Sequence, residues 1–218
     1  MISYKDFIIF KHRNKVPKHG NLMNSIKQII DKEIEAIRAI PLDGSMEKAV
    51  ELIGHAVHEQ KGKIVTSGMG KAGQIAQNIA STFSSTGSPA VFIHPSEAQH
   101  GDLGLLQKND ILFLISNSGK TREILEFIEL SRALNPDIKI IGLTGNPNSP
   151  LAQAAEVVIS TGNPAEVCPL GLAPTTSTTC MTIVGDVLVV ALMQKINFTK
   201  AEFAKRHHSG YLGKKARS

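Results

Sequence analysis

The sequence predicts an α/β fold, a three-layer α/β/α sandwich around a five-stranded parallel sheet, and three observations predict it. Five short apolar runs, at 64–67, 90–94, 111–116, 139–144 and 157–160, stop at glycine, proline or small polar residues. Stretches of helical periodicity stand between most of them, at 74–84, 122–134 and 149–155. The runs are also too apolar for a sheet with one wet face, so helices must cover both sides.

Ahead of the sheet, residues 22–40 place Ile26, Ile29, Ile30, Ile34, Ile37 and Ile40 at steps of three and four. This is an amphipathic helix, and Pro41 ends it. Ser45 is placed to cap a second helix that carries Ala49, Leu52, Ile53, Ala56 and Val57 on one side. After the last strand, residues 176–196 are apolar almost all round, which predicts a buried helix. With 218 residues there is material for one full core and not for two of ordinary size. Residues 1–20 are expected as a loosely ordered start and 21–215 as one domain.

Composition narrows the function. Hydrophobic residues at 42% and charged residues at 20%, with 18 glycines, describe a soluble globular chain. The net charge of +5 comes from the tail, because five Lys/Arg follow from Lys205 onward with no acid among them. No aromatic residues interleave that tail for base stacking, so no nucleic-acid partner is expected. Cys168 and Cys180 have neither zinc nor redox spacing, which fits a reduced, cytoplasmic chain. The run Phe7-Ile8-Ile9-Phe10 is too short for a signal region, and no uninterrupted apolar stretch approaches membrane-spanning length. No membrane partner is expected.

An open α/β sheet binds its ligand outside the carboxyl ends of the strands, which selects the loops beginning at Ser67, His94, Ser116, Thr144 and Thr161. In the first, Gly68-Met69-Gly70-Lys71-Ala72-Gly73 spells G-x-G-x-x-G. The following strand ends Phe92-Ile93-His94-Pro95 without the acidic residue that would hold a ribose, and Lys71 adds a cation at a helix start. A small anion fits better than a dinucleotide, with Gly70 letting the helix start come close. Ser116, Asn117, Ser118 and Thr121 gather hydroxyls and N–H groups at another helix start, a nest for a terminal phosphate. Taken alone, capping of the helix from Arg122 by Ser118 or Thr121 is the better explanation, but two small-residue anion loops on adjacent strands favour a phosphorylated ligand smaller than a dinucleotide. The stretch with His94, Glu97, His100 and Asp102 matches no usual zinc spacing, so loop hydrogen bonding is preferred over metal. Glu166 lies among prolines and apolar residues, where partial burial is expected to raise its pKa toward that of a proton-transfer group; a surface carboxylate is the equal alternative. Thr175 opens a run of five hydroxyl residues at a helix start and is expected to face the ligand.

Taken together, "TSGMGKAG", "STFSSTGSPAVFIHPSEAQHGDLG", "ISNSGKTREI", "EVCPLGLAPTTSTT" and "FAKRHHSGYLGKK" resemble, in order and spacing, the sugar isomerase (SIS) domain of the arabinose 5-phosphate isomerases, over residues 24–215. The resemblance implies a Rossmann-like SIS domain that interconverts D-ribulose 5-phosphate and D-arabinose 5-phosphate without a cofactor. That step supplies 3-deoxy-D-manno-octulosonate (KDO) for lipopolysaccharide or capsule. It implies Lys71, Glu123, Glu166 and His207 as the catalytic set, Ser116, Asn117, Ser118 and Thr121 as the phosphate cradle, and His100 as a position that takes up inhibitory zinc in relatives. The reaction needs a base between C1 and C2 and a donor to the enediolate oxygen. Glu166 ahead of Glu123 fits the base, Lys71 the charge stabiliser and His207 the ring-opening acid or proton shuttle. A small phosphosugar is the implied ligand and a homotetramer the implied assembly, each site completed by a neighbour's histidine.

The chain departs from the family in three places. Lys120 stands where a glutamate is usual, and His207-His208-Ser209-Gly210 where His-Pro-Gly-Gly is usual. The sequence stops at Ser218 without the two CBS repeats that often follow, so no regulation through them is expected. Two other readings stay open: a non-catalytic phosphosugar or nucleotide-sugar-binding regulator, and an isomerase of another phosphosugar.

Overall fold

A computed structural model describes residues 19–217; the expected loose start therefore lies outside the described residues, except for His19 and Gly20, which are already helical. Five strands form the sheet: β1 (Ile64–Gly68), β2 (Ala90–Phe92), β3 (Ile111–Ile115), β4 (Lys139–Thr144) and β5 (Val157–Ser160). All pair in parallel in the order β2-β1-β3-β4-β5. The chain reverses direction across the sheet between β1 and β3, so their carboxyl ends diverge and leave a crevice there.

Alternation along the strands divides the core in two. Ile64, Ile111, Phe113, Ile115, Ile141 and Ile159 point to one face, where they meet α2 (Ser45–Gly54), α3 (Gly70–Ser85) and α7 (Thr176–Lys195). Val65, Leu112, Leu114 and Ile140 point to the other, against α4 (Pro95–Ala98), α5 (Arg122–Leu134) and α6 (Pro150–Ala154). The three-layer sandwich expected from the sequence is the one observed. At the amino ends of the strands, buried Asp110 accepts hydrogen bonds from Lys63 N at 2.9 Å, Lys63 Nζ at 2.6 Å and Gln107 N at 2.8 Å, which ties β1 to β3.

Several boundaries differ from expectation, each for a local reason. Helix α3 begins at Gly70, four residues before the periodicity becomes visible, because glycine, lysine and alanine carry little pattern. Strand β2 stops at Phe92, since Pro95 has no N–H to donate and His94 Nδ1 accepts from Ser96 N at 3.3 Å to start α4. Ser45 is not a cap: it is the first residue of α2, and its N–H donates to Asp43 Oδ1 at 3.0 Å. Helix α1 (His19–Arg38) forms as expected but packs only its last turns, through Ala36 and Ile37, while Leu22, Met23, Ile26, Ile29, Ile30 and Ile34 are exposed.

Helix α7 corrects one expectation and leaves another standing. An 18-residue window within it has a mean hydropathy of 1.6, enough by length and composition alone to cross a membrane, but Asp186 interrupts the apolar run and half of that window is buried inside the fold. The helix is not buried all round, because Val187 and Val190 face outward. The basic tail, read as a solvated end, forms α8 (Lys200–Arg206) and α9 (Gly210–Arg217).

Candidate active site

Three loops at the carboxyl ends of the strands enclose a cleft of about 500 Å³, a size suited to a small polar ligand. The β1–α3 turn supplies Met69, Lys71 and Ala72, and the β3–α5 turn supplies Ser116, Asn117, Ser118 and Thr121. The β5–α7 segment supplies Glu166, Gly171, Leu172, Ser177, Thr178 and Met181 among others.

Three long helices start at this cleft. Met69 and Thr121, the residues before α3 and α5, make no side-chain cap bond, so the first-turn N–H groups of both helices remain open to an anion. The third start, that of α7, is already occupied. Glu166 Oε2 accepts from Thr175 N at 2.7 Å, Thr175 Oγ1 at 2.9 Å and Ser177 N at 3.3 Å, and its Oε1 accepts from the Ser177 hydroxyl. Burial pushes the Glu166 carboxyl up, but the bonds from Ser177 and Thr175 together outweigh it and hold the group below the usual carboxylate range. The expected upward shift is therefore corrected: apolar neighbours in sequence do not reveal four donors folded onto the carboxylate.

The serine loop is preorganised by its own bonds. Ser116 Oγ and Thr121 Oγ1 lie 2.7 Å apart, Gly119 N donates to Ser116 Oγ at 3.1 Å, and Lys120 N donates to Ser118 Oγ at 3.1 Å. Gly119 adopts φ +62°, which turns the loop back over the end of β3.

The remaining expected residues lie elsewhere. Glu123, half-buried in the first turn of α5, is outside the cleft lining. Ser67 is fully buried and donates to the Ile93 carbonyl at 2.7 Å, a structural bond rather than a ligand contact. Gly70 has φ +57° and stands between the lining residues Met69 and Lys71. Thr175 meets Glu166 rather than the open cleft. His100 is exposed, and among the described residues no group of three His, Cys, Asp or Glu side chains is placed to hold a metal. His207 also lies outside the lining of its own chain's cleft. Its ring stacks on Phe203 with centroids 3.7 Å apart and planes at 9°. Its Nδ1–H donates to the Phe203 carbonyl at 3.0 Å, which leaves Nε2 as the acceptor of the neutral ring.

Two features escaped the sequence. The backbone N–H groups of Ala173, Leu172 and Leu170 close on Cys168 and hold its thiol below the ordinary range. Glu33 reaches from α1 to Thr176, 143 positions away, with no local motif to announce it.

The sheet order and the site define a doubly wound α/β domain with an anion cleft at its switch point. The chain belongs to the SIS domain family, whose pattern matches residues 57–191. It is 42% identical over 195 residues to arabinose 5-phosphate isomerase KdsD of Francisella tularensis SCHU S4, covering 88% of this chain and 59% of that protein. The same enzyme of Pseudomonas aeruginosa PAO1 is 41% identical over 197 residues, covering 89% and 59%. The chain thus spans less than two thirds of the length of these curated relatives. Among solved structures, a protein of Bacteroides fragilis NCTC 9343 described as a phosphosugar isomerase involved in capsule formation is 62% identical, with a TM-score of 0.86 over 87% of this chain and 99% of its own. E. coli CFT073 c3406 in complex with arabinose 5-phosphate is 36% identical, with a TM-score of 0.78 over 88% and 100%.

Proposed function

We propose that this chain is an aldose–ketose isomerase that interconverts D-ribulose 5-phosphate and D-arabinose 5-phosphate and so supplies KDO for lipopolysaccharide or capsule. The observation that carries the reading is the pairing, across one cleft, of open helix starts with a carboxylate and an ammonium. The starts of α3 and α5 suit the phosphate; Glu166 and Lys71 suit the carbons being isomerised. A protein that only senses a phosphosugar needs the first half of that arrangement and not the second. The likeness to enzymes named arabinose 5-phosphate isomerase supports the choice of sugar.

In this scheme the phosphate rests on the N–H groups at the starts of α3 and α5 and on the hydroxyls of Ser116, Ser118 and Thr121. Glu166 takes the proton from C2 of the open aldose, and the C–H electron pair forms the C1–C2 enediolate. The proton returns to C1, and the hydroxyl proton passes from O2 to O1, giving the ketose with no net change in oxidation state. The four bonds to Glu166 keep it ionised at neutral pH and also limit its basicity. Stabilisation of the enediolate oxygen by Lys71 therefore carries a large share of the rate. Glu123, outside the lining, is the weaker candidate for the base. Incubation with D-arabinose 5-phosphate in deuterated water, followed by NMR, tests the reading: ketose should appear with deuterium at its C1. Binding with neither signal would replace the isomerase with a phosphosugar sensor.

The assembly in this reading is a homotetramer in the cytoplasm, in which a neighbour's His207 opens the sugar ring or shuttles the hydroxyl proton. Support comes from the uncovered side of α1, where Met23 is 69% and Ile30 53% exposed, too much aligned apolar surface to leave in water. His207 likewise needs another copy to reach a cleft. Ile26→Asp combined with Ile30→Asp should shift the mass in light scattering below the tetramer and reduce turnover at least about tenfold. A monomer with full activity would end the shared-site idea.

A further inference from the structure

Behind the hold on Glu166 stands a second carboxylate that the scheme above does not use. Glu33, in the C-terminal half of α1, accepts a hydrogen bond at Oε1 from Thr176 Oγ1 at 3.0 Å. The same Thr176 oxygen accepts from the Val167 amide at 3.1 Å. Thr176 is 1% exposed, and Glu33 Oε2 is buried without a hydrogen-bond partner. Leaving a carboxylate oxygen unsatisfied away from water is unfavourable, and the apolar residues of α1 that pack on the core, Ala36 and Ile37, do not require it.

A hydroxyl has one proton and two lone pairs. With its proton committed to Glu33, Thr176 must turn a lone pair toward the Val167 N–H. That joins the two halves of the clamp at one atom: the segment carrying Glu166, through its next residue, and the turn at Thr175 and Ser177 that grips its carboxylate.

We propose that Glu33 is a positioning residue for Glu166, acting through the Thr176 hydroxyl to hold the carboxylate against the start of α7. The consequence for rate rests on the isomerase reading; the consequence for Glu166 itself does not. The groups that face Glu166 are Lys71 of α3 across the cleft, Ser177 and Cys180 of α7, and Glu33 of α1 behind Thr176. Burial, then the charges of Glu33 and Glu166, push the Cys180 thiol up.

The sign of the effect separates positioning from simple charge. If Glu33 acted only as a nearby negative charge, removing it would lower the pKa of Glu166. If it positions, removing it loosens the donors and raises that pKa. Carboxyl-detected NMR titration of Glu166 should show Glu33→Ala titrating about one pH unit higher than the parent protein. Thr176→Val, which keeps the charge and breaks the link, should give the same rise and stands in if Glu33→Ala does not fold. Glu33→Gln, which keeps an acceptor for Thr176, should stay at or slightly below the parent value. The acid limb of kcat/KM should follow the titration in each variant. A fall in both Glu33→Ala and Glu33→Gln, or an unmoved Glu166 with only thermal stability reduced, overturns the proposal. A parent protein inactive on pentose phosphates whose Glu166 still shifts upward in Glu33→Ala and Thr176→Val would sink the isomerase reading and sustain this one.

Discussion

Glu166→Gln is expected to lower kcat by about three orders of magnitude while KM changes little, a loss typical of removing a positioned proton-transfer group. Glutamine makes this a clean test. Its carboxamide oxygen can take the place of Oε2 and keep the bonds from Thr175 N, Thr175 Oγ1 and Ser177 N. Its NH2 then occupies the place of Oε1 and meets the Ser177 hydroxyl, which can rotate to accept. The start of α7 stays capped, so the loss in stability should be only about 1 kcal/mol. In the proposed scheme the phosphate rests on other loops, hence the small expected change in KM. Steady-state kinetics and a thermal melt measure both numbers. Near-normal turnover here, with collapse in Glu123→Gln, would move the base to Glu123.

The second large effect is expected at Gly119→Ala. The backbone there is left-handed, at φ +62°, which an L side chain resists. An added Cβ would also overlap Ser149 Oγ and Cβ, far inside van der Waals contact, in a fully buried spot with no give. Shifting the loop is no escape. Gly119 N is held by Ser116, and Gly119 O accepts from Leu151 N at 3.1 Å. The variant should lose about 2–4 kcal/mol of stability and raise KM for the phosphosugar at least about tenfold, as the serine nest opens. Unchanged KM in a stable variant would show that Ser116, Ser118 and Thr121 do not hold the phosphate.

Layers and strands were legible because a covered strand leaves a run of Ile, Leu, Val and Phe that no loop imitates. The residues 139–144 matched β4 end to end for that reason, and 122–134 matched α5 because its apolar residues keep a helical period throughout. Boundaries blurred where glycine and small residues carry no period, as at Gly70, and where a cap lies one residue off, as at Asp43 and Ser45. The site was legible as loops but not as bonds. Lys71, Ser116, Asn117, Ser118, Thr121 and Glu166 do line one cleft, while the direction of the Glu166 shift depended on donors nine and eleven positions away. Glu33 was beyond reach altogether, since periodicity places it on a helix and nothing in the local sequence says which distant hydroxyl it meets. The apolar face of α1 was legible as a stripe, but periodicity reports that a face wants cover, not what covers it.

The order β2-β1-β3-β4-β5 also governs when the cleft comes into being. Each neighbour in the sheet must be brought together against loop-closure entropy, which grows with the chain between them. The β1–β3 joint encloses β2 and two helices, and the Lys63–Asp110 pair at its foot spans 47 positions. It is the most distant strand pairing in the sheet and the one whose upper end is the cleft. A growing polypeptide therefore has no cleft to offer until β3 has emerged and docked, and the Glu166 clamp must wait longer still, for α7. On this topology, ligand competence comes only after α7 has docked.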